Sequence, residues 1–174
     1  MHSGSPLIDI LKNYEAASNR HDIEACVAFF TPAGSILMNG QSYQGAEALR
    51  AAHEYDAGSD TQVRFSDFEV EGQVVRCTFW NEHELSRALE TGGLAGKAEF
   101  TFEGEQISQF NSLPPDETER QRMMGRIGPA LRWLREHHPE LIARWSGFDR
   151  AAGEAIFQLA ERWREHRQSG HSES

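Results

Sequence analysis

Tyr14 is the first side chain in the chain whose position could support chemistry. It falls on a stripe with Leu7, Leu11 and Ser18 at helical spacing, so the pattern predicts that it faces inward. An inward tyrosine can fill the core with its hydroxyl paired, or it can donate a hydrogen bond inside a ligand pocket. The spacing alone leaves both interpretations open.

His83 is the second candidate, within the polar run Trp80-Asn81-Glu82-His83-Glu84. This run lies where a predicted strand leaves its sheet. An imidazole there could act as a general base, because its ordinary pKa lies close to neutral pH. The alternative interpretation is a solvated rim with no chemical role.

Other residue types that carry chemistry lack the required spacing. His137 and His138 are adjacent and cannot share one face of a helix, so we expect no metal site there. Cys26 and Cys77 lie in apolar surroundings without a CxxC pattern, which indicates buried free thiols. The sequence contains no GxGxxG, GxxxxGK[ST] or GxSxG motif, so we expect neither a nucleotide nor any other cofactor.

The composition limits the classes of partner. The 174 residues carry a formal net charge of -10, and residues 1–115 hold all of it, with 7 Lys and Arg against 17 Asp and Glu. This charge disfavours nucleic acid and anionic membrane surfaces as partners. No window is apolar enough to span a membrane, and the N-terminus lacks the pattern of a secretion signal, so a cytoplasmic protein is expected.

The first third of the chain predicts three short helices and a hairpin. Ser5-Pro6 begins the first helix, Asp22 caps the second, and Pro32 is expected to end it. A strand over 33–38 and the turn Asn39-Gly40 then form a hairpin. A third helix is predicted from Gly45 to about Tyr55, and the polar residues 56–60 are predicted to form a loop.

From Thr61 the hydrophobic period changes to two, which predicts four antiparallel strands. Their expected bounds are 61–71, 73–82, 96–102 and 105–111. The apolar, inward faces of two of them comprise Val75, Cys77, Phe79, Asn81, Ala98, Phe100 and Phe102. Residues 83–95 form an insertion at the rim. Helices followed by a bent antiparallel sheet predict an α+β cone.

After Pro114-Pro115 the composition becomes rich in Arg, Glu, Ala and Trp. This change predicts two units, a front domain over 5–113 and a helical extension over 116–168. One helix is expected over 116–138, with a kink or break at Gly128-Pro129, and another over 149–167. Trp133, Trp145 and Trp163 are interpreted as packing residues.

The order of signals from Tyr14 to Gly45 resembles the nuclear transport factor 2-like superfamily, which includes SnoaL-type cyclases and ketosteroid isomerases. The resemblance covers residues 5–113 and implies a sheet curled around a deep apolar pocket. Ketosteroid isomerases use a tyrosine, an aspartate base and a protonated aspartate. Tyr14 matches the tyrosine, but Met38 and Ala98 fall where the two aspartates would lie, so that mechanism is not expected. The Arg-Asp pairs of the superfamily's epoxide hydrolases have no match here either.

Two functional hypotheses follow. In the first, the protein binds a small, largely apolar molecule as a cofactor-independent isomerase, cyclase or dehydratase. Tyr14 would then donate a hydrogen bond, and His83 or an unidentified acid would be the base. The residues expected to contact the ligand are Tyr14, Met38, Val75, Cys77, Phe79, Ala98, Phe100 and Phe110. In the second, the protein is a non-catalytic ligand-binding or assembly protein whose extension fills or covers the pocket or mediates oligomerisation. The resemblance also implies a homodimer through the outer sheet face, which would carry Thr78 and Trp80.

Overall fold

The computed structural model describes residues 5–170 and confirms the α+β architecture. The helices are α1 Pro6–Asn19, α2 Ile23–Ala28, α3 Ala46–Gly58, α4 Glu84–Ala88, α5 Glu117–His137, α6 Pro139–Arg144 and α7 Arg150–Gly170. The strands are β1 Phe30–Met38, β2 Gln41–Gln44, β3 Gln62–Glu71, β4 Val74–Glu82, β5 Leu94–Glu103 and β6 Gln106–Ser112. Among residues 5–170, no helix is both long enough and apolar enough to cross a membrane.

The six strands form one curved sheet in the order β2-β1-β6-β5-β4-β3. All neighbours are antiparallel except β1 and β6, which run parallel. The pairing register shifts between Ser66 and Glu69 in β3 and between Thr101 and Phe102 in β5. Such bulges increase local twist and bend a strand, which allows the sheet to close partly around the helices.

Alternation along the strands produces the main core, as the sequence predicts. Val75, Cys77 and Phe79 on β4 face the same core as Phe100 on β5 and Phe110 on β6. Tyr14 enters this core from α1, where its ring stacks on Phe65 with centroids 6.1 Å apart. The inner sheet face is therefore covered by α1 and by the α3 residues Leu49 and Ala52.

Three predicted boundaries in the front part differ from the structure: the end of α2, the start of β1 and the end of α3. Helix α2 ends at Ala28, and Pro32 lies inside β1 at its register shift, where a missing N–H is tolerated. The turn at Asn39-Gly40 is confirmed, with φ of 53° and 76°. Helix α3 continues to Gly58, so the predicted loop over 56–60 begins three residues too early.

The extension forms a second core with helix α4 of the front part. Its members are Leu85, Ala88, Leu131, Leu134, Leu141, Ile156, Leu159 and Ala160. Helix α5 runs without a break through Pro129, contrary to a predicted break. Helix α6 was not predicted; Pro139 occupies its first turn instead of only ending α5.

Close contact of α3 with α7 fixes the extension on the front part. A Cβ on Gly153 of α7 would lie 2.2 Å from the Tyr55 carbonyl oxygen. A Cβ on Gly58 of α3 would lie 2.9 Å from the Arg150 carbonyl oxygen. The two backbones approach so closely because both crossing points are glycine.

Candidate functional site

A cavity of about 560 Å³ opens between the inner sheet face, α1, α3 and the extension. A volume of this size accommodates a small organic molecule. Apolar and aromatic side chains dominate its wall, among them Ile36, Met38, Val63, Phe65, Phe79, Phe110, Met123 and Phe148. Its polar lining includes Tyr14, Ser18, Tyr43, Asp56, Thr61, Asn81, His83, Ser112 and Glu119.

The Tyr14 hydroxyl at this cavity is oriented by His53. Tyr14 Oη lies 2.9 Å from His53 Nε2, and His53 Nδ1 lies 2.7 Å from the Leu49 carbonyl oxygen. A carbonyl can only accept, so Nδ1 carries the proton. Burial lowers the pKa of His53 and favours the neutral ring, whose Nε2 therefore accepts from Tyr14. The Tyr14 hydroxyl thus donates its hydrogen bond to His53, and its oxygen lone pairs can accept from other groups.

Asp56 is the acid that sequence analysis did not identify. It lies on the last turn of α3, borders the cavity, and also borders a narrow niche with Cys26, His21 and His53. Burial raises the pKa of its carboxyl to about 7, and a hydrogen bond from Thr61 opposes that change. Burial raises the pKa of Tyr14, and the charges of Cys26 and Asp56 add to that increase, so Tyr14 and Asp56 interact. A carboxyl that titrates near 7 can both take and return a proton at neutral pH.

His83 lies at the cavity as the N-cap of α4. Its Nδ1 accepts from the Ser86 amide at 3.1 Å, so the neutral ring carries its proton on Nε2. Burial and the Arg87 charge lower the pKa of His83 to about 4. At neutral pH His83 is therefore an uncharged donor through Nε2. This geometry disagrees with the expected base role, because the unprotonated nitrogen is already occupied.

The extension covers the cavity without filling it. Trp145, Ser146, Gly147 and Phe148, between α6 and α7, line its outer end. The Phe148 ring packs between Tyr43 and Tyr55, with centroids 4.5 and 4.8 Å away. Trp133 lies elsewhere, stacked on His166 at 4.0 Å in the second core. Of Trp133, Trp145 and Trp163, only Trp145 thus reaches the cavity.

The expected site residues divide into two groups. Those that line the cavity are Tyr14, Met38, Phe79, His83 and Phe110. Those that lie in the packed core and do not line it are Val75, Cys77, Ala98 and Phe100. The structure places the second group too deep to contact a ligand, because strand alternation identifies the inward face but not how far the ring layers fill it.

Asp56 carried a usable signal in the sequence. Leu49, Ala52 and His53 define the buried stripe of α3, and Asp56 follows at the next helical step. The polar run that begins at Asp56 obscured this periodicity. Among the described residues, no cluster of three or more His, Cys, Asp or Glu could hold a metal ion.

The chain matches no protein-family model and no curated protein. Solved structures do match it, at low identity. A polyketide cyclase-like protein from Sinorhizobium meliloti is 16% identical, with a TM-score of 0.53, over 60% of this chain and 94% of that one. The epoxide hydrolase/cyclase-like enzyme SalBIII of salinomycin pyran-ring formation is 16% identical, with a TM-score of 0.56, over 65% and 93%.

A third similar structure is a Mycobacterium tuberculosis protein in complex with estradiol-17beta-hemisuccinate. It is 15% identical, with a TM-score of 0.52, over 64% of this chain and 95% of that one. Each match spans nearly the whole neighbour but only about two thirds of this chain, which leaves room for the extension. The chain therefore has the nuclear transport factor 2-like fold, with additional helices after it.

Proposed function

We propose that the cavity binds a small, largely apolar organic molecule and that Asp56 transfers a proton on it. The reaction would be a cofactor-independent isomerisation, cyclisation or dehydration. The observation that carries this proposal is the half-buried Asp56 carboxyl at the wall of a mainly apolar cavity, where desolvation raises its pKa to about 7. Perturbed acids in such cavities are typical of catalytic sites.

The other polar groups at the wall suit this reaction class. Asp56 as carboxylate would accept a proton from carbon or oxygen of the substrate and later return it. The Nε2–H of His83 and the side-chain amide of Asn81 could donate to an oxygen on which negative charge develops. Tyr14 would accept a hydrogen bond from a substrate group or orient it, because the Tyr14 hydroxyl already donates to His53.

The neighbours support the binding part of this proposal. One was solved with an estradiol derivative, and another acts in pyran-ring formation. A cavity of about 560 Å³ is compatible with ligands of that size.

A non-catalytic binding protein is the second candidate. The contribution of Trp145 and Phe148 to the cavity wall favours it, because additional wall from the extension suits retention of a ligand. Asp56→Asn separates the two functions. For an enzyme, this variant should lose turnover even at substrate concentrations that saturate the cavity; for a binding protein, the ligand should be recovered unchanged from both forms.

Mass spectrometry under non-denaturing conditions tests occupancy of the cavity. The wild-type protein should carry a small molecule, and Ser112→Phe, which fills the cavity from β6, should lose it. Gln109→Phe is the matched control, since its odd position on the same strand places it on the opposite face. Retention of the molecule by Ser112→Phe, or its loss from both variants, would argue against binding in the cavity.

A further inference from the structure

Resting on the proposed function, we infer that the cavity selects a ligand bearing a positively charged nitrogen, such as an alkyl amine, over one bearing an organic anion. The fold alone does not determine the charge of the ligand. It depends on which polar atoms the cavity wall offers and on which charges are missing from it.

The inner part of the wall offers hydrogen-bond acceptors. Asp56 contributes a carboxyl. Tyr14 contributes oxygen lone pairs, because its hydroxyl already donates its hydrogen bond to His53. An ionised carboxylate can only accept, and a protonated amine can only donate. An ammonium group near Asp56 and Tyr14 would therefore satisfy both, through a hydrogen bond strengthened by charge.

No lysine or arginine between residues 5 and 170 lines this cavity. Arg87, four residues after His83, does not line the cavity and pairs with Asp60 at 2.8 Å and Glu84 at 2.8 Å. His83 is uncharged at neutral pH, and Glu119 adds a second carboxylate at the exposed outer end. An anionic ligand would meet carboxylates without a countercharge, and burying an unpaired charge is costly.

Aromatic rings lie next to the same carboxyl. Tyr55 precedes Asp56 on α3 and lines the cavity. Burial raises the pKa of Tyr55, and the charge of Asp56 adds to that increase. Tyr14 lies on the other side, and Phe148 and Trp145 close the outer end. The faces of such rings attract cations, and they contribute most where water is excluded.

Several titratable groups surround Asp56. Tyr14 on α1 and Cys26 on α2 both have a raised pKa and stay uncharged at neutral pH. His53 on α3 is neutral, and His21 shares the niche with Asp56 while its Nε2 pairs with Asp60 at 3.1 Å. Helix α7 faces this end of α3 with Gly153. Asp56 is thus the group whose ionisation makes the inner wall negative.

Three probes with one ring system test the inference by calorimetry on the full chain: 2-(2-naphthyl)ethylamine, 2-(2-naphthyl)ethanol and 2-naphthylacetate. At pH 8 the amine should bind about 10- to 100-fold more tightly than the alcohol, and the acetate should bind most weakly. Between pH 5 and 7 amine affinity should rise by up to about tenfold per pH unit, because binding requires ionised Asp56. Alcohol affinity should change little over that range.

Variants assign the effect to the carboxyl. Asp56→Asn should weaken amine binding about 10- to 100-fold and leave alcohol binding within about threefold. Glu47→Gln, which removes the same charge from the exposed side of α3, should change neither.

The outcomes separate this inference from the function on which it rests. If the alcohol binds but the amine has no advantage, or if Asp56→Asn leaves amine binding intact, the charge preference is overturned and cavity binding stands. Acetate binding as tight as amine binding would also overturn it. If none of the three binds, the proposed binding function fails and the charge preference fails with it.

Discussion

At the scale of single residues, Tyr14 and Asp56 differ in what each can offer a ligand. The Tyr14 hydroxyl donates its hydrogen bond to His53. Asp56 has a carboxyl with few partners, and burial raises its pKa to about 7. The family resemblance matched Tyr14 to the family's tyrosine and placed Met38 and Ala98 where its two aspartates would lie. The structure places the ionisable group on α3 instead, facing the same cavity.

Removal of the Tyr14 hydroxyl tests its pairing with His53. Tyr14→Phe leaves Nε2 of a buried histidine without its donor, so we expect a loss of about 1–3 kcal/mol in the free energy of unfolding. Urea denaturation measures it. Tyr43→Phe is the control, because that hydroxyl pairs with exposed Gln41, and it should cost less. Equal stability of Tyr14→Phe and wild type would contradict the assigned hydrogen bond.

Asp56 should make stability depend on pH in a stated direction. Its pKa is about 7 in the folded protein and about 4 in the unfolded chain, so folding favours the protonated form. The resulting stability is fully present below pH 4 and is lost as pH rises through 7. The difference corresponds to at most about 4 kcal/mol, because solvent contact of the half-buried side chain screens the charge.

The test compares Asp56→Asn with wild type by urea denaturation at pH 5 and pH 8. His83, with a pKa lowered to about 4, contributes the opposite trend between pH 4 and 6.5, and the comparison cancels it. Relative to wild type, the variant should be more stable at pH 8 than at pH 5. An unchanged difference between the two pH values would show that Asp56 has an ordinary pKa.

At the scale of elements, the contact of α3 with α7 determines where the cavity is closed. Gly58 and Gly153 allow the two backbones to touch, and the Phe148 ring just before α7 then reaches Tyr43 and Tyr55. The position of the cover therefore depends on a helix crossing that lies beside the cavity.

Gly153→Ala should disturb this crossing. Its Cβ would lie 2.2 Å from the Tyr55 carbonyl, so α7 must shift, at a cost of about 1–3 kcal/mol or more. Gly125→Ala is the matched control in α5, where a Cβ has open space and alanine should stabilise by about 0.5–1 kcal/mol. Thermal unfolding measures both. Stabilisation by both substitutions would contradict the close crossing.

Prediction from sequence worked for elements with local signals and failed where distant contacts decide. Alternation and glycine turns determine the last four strands, β3 to β6, whose bounds the sequence predicts to within about two residues, whereas β1 begins three residues before its predicted start. The end of α3 looks like a loop from Asp56 onward, but there the helix packs on α7, and the Ser59 hydroxyl donates to the Tyr55 carbonyl at 2.8 Å. Because Asp56 lies on that turn, the same error hid the candidate acid.

At the scale of the whole molecule, the outer sheet face is where we expect a second copy to bind. Thr78 accepts from Lys97 at 3.3 Å, and the Arg64 guanidinium lies 5.0 Å from the centre of the Trp80 ring. Sedimentation velocity at micromolar concentration should give about twice the chain mass of 19.6 kDa. Thr78→Arg, which places two cations together on this face, should weaken the dimer. A wild-type monomer would contradict the expectation.

The central claim is that Asp56 is a proton-transferring acid inside the cavity. The most direct measurement is a pH titration of the aspartate side-chain carboxyl ¹³C resonances in the full chain, with Asp56→Asn to assign the signal. We predict a midpoint near 7 for Asp56. A midpoint near the ordinary value of about 4 would contradict the account, because the carboxyl would then be a solvated anion with little capacity to exchange protons at neutral pH.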